Sequence, residues 1–202
     1  MSVETHVPTH HEHPDVVSAR NRQGVILFLV PAIALTLGVV FVYFYLRGQN
    51  VNDMWLPKAS DTQDATVPVS SMGAWYIAVI VALGLVFHRY ALAGAKIKNQ
   101  TQLVLGSGLA FIASFAALIY LGIQMNNAPF TITMGAYASC YYLIAGLNMV
   151  FLFLTVFISL GTWNRARLGI YGGNHSHVEL VQIWWIWMTI SAIVAAFVLS
   201  FP

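Results

Sequence analysis

Apolar residues gather into five long runs, approximately Gly24 to Leu46, Met72 to Tyr90, Leu103 to Ile123, Gly135 to Thr162 and Glu179 to Phe201. A helix needs about 20 mostly apolar residues to cross a bilayer core, and the runs are of that order. Backbone inside lipid must satisfy its own hydrogen bonds, and the runs lack the spaced turn signals of a barrel. The pattern predicts an all-α, polytopic membrane protein, a bundle of five transmembrane helices. No repeat is evident across the whole chain.

The polar positions between the runs give a direction. Arg20 and Arg22 precede the first run, Arg89, Lys96 and Lys98 lie between the second and third, and Arg165 and Arg167 between the fourth and fifth. The other side has Arg47 and Lys58, among Asp53, Asp61 and Asp64. Basic loops stay in the cytoplasm, so the N-terminus is expected inside and the C-terminus outside. Trp163, Trp184 and Trp185 then fall at the inner interface and Trp75 at the outer one, where tryptophans commonly anchor.

Three features interrupt the runs. Pro31 removes one backbone hydrogen bond inside the first, which predicts a kink. The third carries Gly106, Ser107, Gly108, Ala110, Ala113, Ser114 and Ala117, a small-residue face that lets helices approach closely, with Ala113 and Ala117 as packing candidates. Asn148 lies near the middle of the fourth and is expected to make an interhelical hydrogen bond.

Composition agrees: 58% of the 202 residues are hydrophobic and 8% charged, against about 25% charged in a soluble domain. A formal net charge of +2, scattered along the chain, excludes a nucleic-acid partner. Cys140, a single cysteine in an apolar run, reads as a small core residue. Residues 1–20 form a polar tail with His6, His10, His11, His13, Glu4, Glu12 and Asp15. It lacks the features of a cleaved signal and is expected to be retained. Its histidine spacing matches no defined metal motif. Residues 21–202 form the membrane domain.

The chemistry-bearing residues are sparse. His88 is expected at a helix end, and His175 and His177 in the last basic loop, whereas a bis-histidine haem needs two histidines inside the helices. There is no Walker loop, paired carboxylate or His-Glu-x-x-His. No catalytic residue, metal site or cofactor is expected in this chain. A secondary transporter would show broken helices and an intramembrane charge. Glu179, at the start of the fifth run, reads either as an acid favoured by the helix dipole or as the neighbour of a proton entrance.

Several local sequences, taken in order, resemble the haem–copper oxidase subunit III family in its five-helix form. The first run opens Gly24-Val-Ile-Leu-Phe-Leu and closes Tyr43-Phe-Tyr-Leu-Arg47, similar to the family's opening helix. Met54-Trp55-Leu56-Pro57 resembles its Trp-Pro-Pro loop. Ala136-Tyr137-Ala138-Ser139 with Tyr142 and Gly146, then Val178-Glu179 with Trp185, resemble its last two helices. The chain departs from the family at Ala32, where a glutamate is usual. It departs again at Asn148 and Phe151 for helix-four histidines, and at Ile186 and Thr189 for a His and an Asp.

The resemblance implies a non-catalytic accessory subunit of a terminal oxidase in the bacterial cytoplasmic membrane. Its expected partners are a catalytic subunit I holding haem and copper, other oxidase subunits and membrane lipids. That partner would reduce oxygen and pump protons, while this chain supports stability, holds lipid and tunes oxygen and proton access. Arg20, Arg22, Trp163, Arg165, Trp184 and Trp185 are the candidates for lipid-headgroup contacts. Competing readings are an accessory subunit of a nitric oxide reductase or other respiratory complex, a small transporter or channel, and a haem-carrying electron-transfer subunit.

Overall fold

The computed structural model describes residues 14–59, 64–172 and 175–202. The order is α1 (Pro14–Gln49), a 3-10 turn (Val51–Asp53), α2 (Met72–Lys96), α3 (Gln100–Asn126), α4 (Ala136–Arg167) and α5 (Ser176–Val198). All five helices are long and apolar enough to cross a membrane. No strand occurs among the described residues. The histidines of the tail and Asp61 lie outside them.

Each of the first four helices runs past its apolar segment into polar residues. Hydropathy marks the stretch that suits hydrocarbon, whereas backbone hydrogen bonding continues until a cap stops it. α2 thus reaches Lys96 and α4 reaches Arg167. α1 runs through Pro31 as one continuous helix.

α2, α3, α4 and α5 form a ring in which α2 packs on α3, α3 on α4, α4 on α5 and α5 back on α2. α1 stands outside that ring against α4 and α5. Its outward face is apolar and exposed, with Leu27, Leu37 and Phe41 all more than half accessible. Such a face suits lipid or another membrane helix.

The tightest contact is the α2–α3 hairpin. Lys98 takes a left-handed backbone (φ 57), and the Asn99 side chain caps α3 by accepting from the Gln102 amide at 3.2 Å. Glycines then let the backbones meet. A Cβ on Gly106 would lie 2.6 Å from the Ala91 nitrogen, and one on Gly94 2.8 Å from the Leu103 nitrogen. Ala113 and Ala117 are buried, so the small face of α3 is used within the chain.

At the opposite end of the bundle, the segment after α1 is fastened to the start of α4. The amides of Ala136 and Tyr137 donate to the carbonyls of Met54 and Trp55 at 3.0 and 3.1 Å, satisfying two donors that a helix start leaves open. Gly135 makes the approach feasible: its φ is +110, and a Cβ there would lie 2.6 Å from Pro57 Cδ. The rings of Tyr43, Trp55, Tyr137 and Phe130 pack edge to face around this junction. Two stretches far apart in sequence, Met54 to Pro57 and Ala136 to Ser139, are therefore one structural unit.

Candidate functional site

The end of the bundle that carries most of the basic residues also holds the start of α5. Glu179 lies in the first turn of α5, where a negative charge is favoured by the helix dipole. Its carboxylate is 3.1 Å from Lys96 Nζ and 3.6 Å from His175 Nε2. The Lys96 and Glu179 side chains are about half exposed, so the pair ties the end of α2 to the start of α5 with about 0.2–1 kcal/mol. Beside it, Tyr171 is hydrogen-bonded to His177 Nδ1 at 3.1 Å and anchors the loop after α4. Burial pushes the Tyr171 hydroxyl above the usual phenolic value.

His88 is not at a helix end. It lies about two turns before the end of α2 and is buried, because α2 continues as helix well past Tyr90. Its Nε2 is 3.0 Å from the Val178 carbonyl oxygen, and its ring stacks on Trp185. The imidazole thereby satisfies a carbonyl in the first turn of α5 and pins α2 to it.

Trp184 and Trp185 also depart from the headgroup expectation. Trp185 is the largest of the fully buried side chains. It fills space opened by Gly84, where a Cβ would lie 2.5 Å from the indole. Trp184 is 3% exposed and donates from Nε1 to Thr155 Oγ1 at 2.9 Å, joining α5 to α4. Two adjacent tryptophans read as an interfacial belt in sequence. In the fold they occupy the core because α5 is the most enclosed helix of the bundle.

The other headgroup candidates remain near the surface. Arg20, Arg22 and Arg165 are exposed. Trp163 is half-buried between α3 and α4, where it stacks on Phe111 at 5.8 Å and carries the Arg167 guanidinium 4.9 Å from its ring centre. The structure therefore separates Trp163 from Arg20 and Arg22 by helix rather than assembling all six residues into one site.

Deeper in the bundle, Asn148 donates to the Ile144 carbonyl at 3.0 Å and accepts from Ser191 Oγ at 3.4 Å, linking α4 to α5. Ala32 and Phe151 are buried, Ile186 is on an exposed face, and Thr189 bonds the Trp185 carbonyl at 2.9 Å. Among the described residues, no three His, Cys, Asp or Glu side chains gather as a metal site. Gln182, which the sequence pattern did not single out, is 8% exposed and finds no partner for either end of its carboxamide.

A family model described as cytochrome c oxidase subunit III matches residues 1–199. The chain belongs to that family. A cytochrome c oxidase subunit 3 of Synechocystis sp. is 26% identical over 182 residues, covering 87% of this chain and 71% of the relative. One of Thermostichus vulcanus is 22% identical over 180 residues, covering 87% and 82%. One of Marchantia polymorpha is 24% identical over 194 residues, covering 89% and 70%. Membership with five spanning helices makes this a multi-pass membrane protein and a non-catalytic subunit of a respiratory oxidase. The subunit III family match favours this reading over the transporter and electron-transfer alternatives.

Proposed function

We propose that this subunit packs beside the catalytic haem–copper subunit in a bacterial cytoplasmic membrane, stabilising it and holding lipid near its oxygen and proton routes. The observation that carries the reading is how the intramembrane polar groups are used. Asn148 meets Ser191, Trp184 meets Thr155 and His88 meets the Val178 carbonyl, so these groups hold helices together. Catalysis is then left to a partner that supplies the haem and copper, and this chain contributes a shaped surface.

Deletion of the chain tests it. The complex purified without it should keep its haem spectrum and a measurable initial rate of oxygen consumption, while activity decays several-fold faster during turnover or proton uptake slows. Loss of haem from an assembled partner would show that this chain supplies ligands. Unchanged decay and unchanged proton pumping would reduce it to an assembly factor.

The same reading puts the basic end in the cytoplasm, on the strength of seven basic residues at that end against two at the other. In a Cys140→Ala background, Lys58→Cys should react with an impermeant thiol reagent in right-side-out membranes, and Leu168→Cys should be protected. The reverse pattern would invert the topology.

A further inference from the structure

The seam between α1 and the ring is fastened directly at two levels. In the basic half the Phe28 ring lies 5.6 Å from Trp184, and at the opposite end the Tyr43 hydroxyl donates to the Phe201 carbonyl at 2.8 Å. Between these levels, Thr36 of α1, Asn148 of α4 and Ser191 of α5 line a cavity of about 10 Å³. All three side chains are buried. A second cavity, of about 30 Å³, lies among α2, α3, α4 and α5, with Asn148, Tyr141 and Gln124 as polar lining and Ser70, ahead of α2, also lining it. Asn148 therefore borders both.

The hydrogen-bonding capacity left over defines the occupant. Thr36 spends its proton on the Ala32 carbonyl at 2.9 Å, and Ser191 spends its proton on Asn148 Oδ1 at 3.4 Å. Each hydroxyl oxygen keeps lone pairs. Asn148 gives one N–H to the Ile144 carbonyl and keeps the other, and its Oδ1 keeps a lone pair. The small cavity is thus bordered by two free acceptors and a free donor, the complement of one water molecule. In the larger cavity Tyr141 is the sharper case. It is 3% exposed, and its hydroxyl bonds to nothing among the described residues. The Gln124 carboxamide makes no hydrogen bond among them either. Buried polar groups left in that state are costly, and ordered water is their usual partner. One water needs about 10–15 Å³ of such space, so the small cavity suits one molecule and the larger one two or three.

We propose that Asn148 is the hub of an internal water network that docks α1 onto the ring. Water in the larger cavity bonds Tyr141, Gln124 and Asn148. One further water donates to Thr36 and Ser191 and joins them to Asn148, so all three helices at the seam share one partner. An apolar occupant of either cavity would leave these groups unmet. Toward the basic end the network is closed. The next turn of α4 brings Phe151 and Leu152, both buried, and the Phe151 ring packs edge-on to Trp184 and Trp187. The water therefore enters one half of the bundle and opens no path through it. A water-mediated bond is nearly as favourable as a direct one, which lets α1 be held at mid-membrane by small side chains that do not reach each other.

Two measurements on the full chain in detergent test the network. The first is X-ray hydroxyl-radical footprinting, in which radicals formed from bound water oxidise the side chain beside it. Tyr141 should be oxidised several-fold faster than Tyr43, which is at least as buried and lines neither cavity. Ala192→Val adds bulk at the wall of the larger cavity, and the Tyr141 rate should fall toward that of Tyr43. The second is a thermal-unfolding cycle of Thr36→Val and Ser191→Ala, which are small changes that should leave the fold intact. The two side chains share no direct hydrogen bond, so without a common water their losses would add. With one, each single variant should lower the melting temperature, and the double variant should melt no lower than the weaker single. Oxidation of Tyr141 no faster than Tyr43 would mean a dry cavity. Additive losses in the cycle would mean no shared water at α1. Either result overturns the network. Neither readout involves oxidase turnover, so both stand apart from the accessory-subunit reading.

Discussion

Trp185→Ala is expected to lower the stability of the bundle by about 3–5 kcal/mol, the range found when a buried tryptophan or phenylalanine is cut to alanine. Trp185 is fully enclosed, seated over Gly84 and stacked on His88, and the cavity left behind would be walled by α2 as well as α5. Relaxation would have to move two helices together, so little of the lost contact is recovered. Trp75 provides the contrast. It is 37% exposed, and its Nε1 donates to Ser200 at 3.1 Å near the bundle surface. Trp75→Ala should cost less than half as much. Thermal unfolding of both variants in the same detergent, followed by loss of monodisperse protein, checks the difference. Similar midpoints for the two would return Trp185 to the role of an interfacial anchor.

Gly106→Val is the second large effect. The Cβ it introduces would lie 2.6 Å from the Ala91 nitrogen and 2.8 Å from both the Ala91 Cα and the Phe87 carbonyl oxygen. All three are backbone atoms of α2, so no side chain can turn away, and the hairpin must open. Overpacking of this kind typically costs about 1–3 kcal/mol. Rigid backbone on the far side argues for the upper part of that range. Ala117→Leu, at a position with no exposure, should destabilise for the same reason. Gly146→Ala is the matched control: nothing lies within 4 Å of its Cβ, and alanine is the better helix former by about 1 kcal/mol. It should be neutral or stabilising. A Gly106→Val variant that assembled and melted like the parent would mean that α2 and α3 do not meet where the structure places them.

How much of this was legible in the sequence depended on whether the property was local. Five helices followed from run length alone, because hydropathy is a property of a segment. The small face of α3 was legible for a related reason: Gly106, Ala113 and Ala117 have no use on a lipid surface that a larger residue would not serve better. Depth was not legible. Trp184 and Trp185 look like a belt because tryptophan prefers interfaces, and only the placement of α2 and α4 around α5 turns them inward. His88 was misplaced because the apolar run stops at Tyr90 while the helix does not. Gln182 carried no signal, since its significance is the missing partner, and a missing partner is visible only in three dimensions. Met54 to Pro57 and Ala136 to Ser139 stood out separately as family-like stretches. The capping of the second stretch by carbonyls of the first is a long-range pairing that no local pattern encodes.

The position of α1 has a consequence for how the molecule is made. α1 leaves the ribosome before α2 to α5, yet its packing partners in the finished bundle are α4 and α5. The bond from Tyr43 to Phe201 closes a loop of 158 residues. Throughout synthesis of α2 and α3, α1 must therefore wait in the bilayer with its future contact face turned to lipid. A lone apolar helix tolerates that wait, because lipid tails are about as good a neighbour as leucine. Thr36, which bonds back to its own Ala32 carbonyl at 2.9 Å, is a polar group on that face that needs no partner while it waits. Chains stopped after α3 would carry α1 undocked, and membrane quality-control proteases should clear them faster than chains stopped after α5.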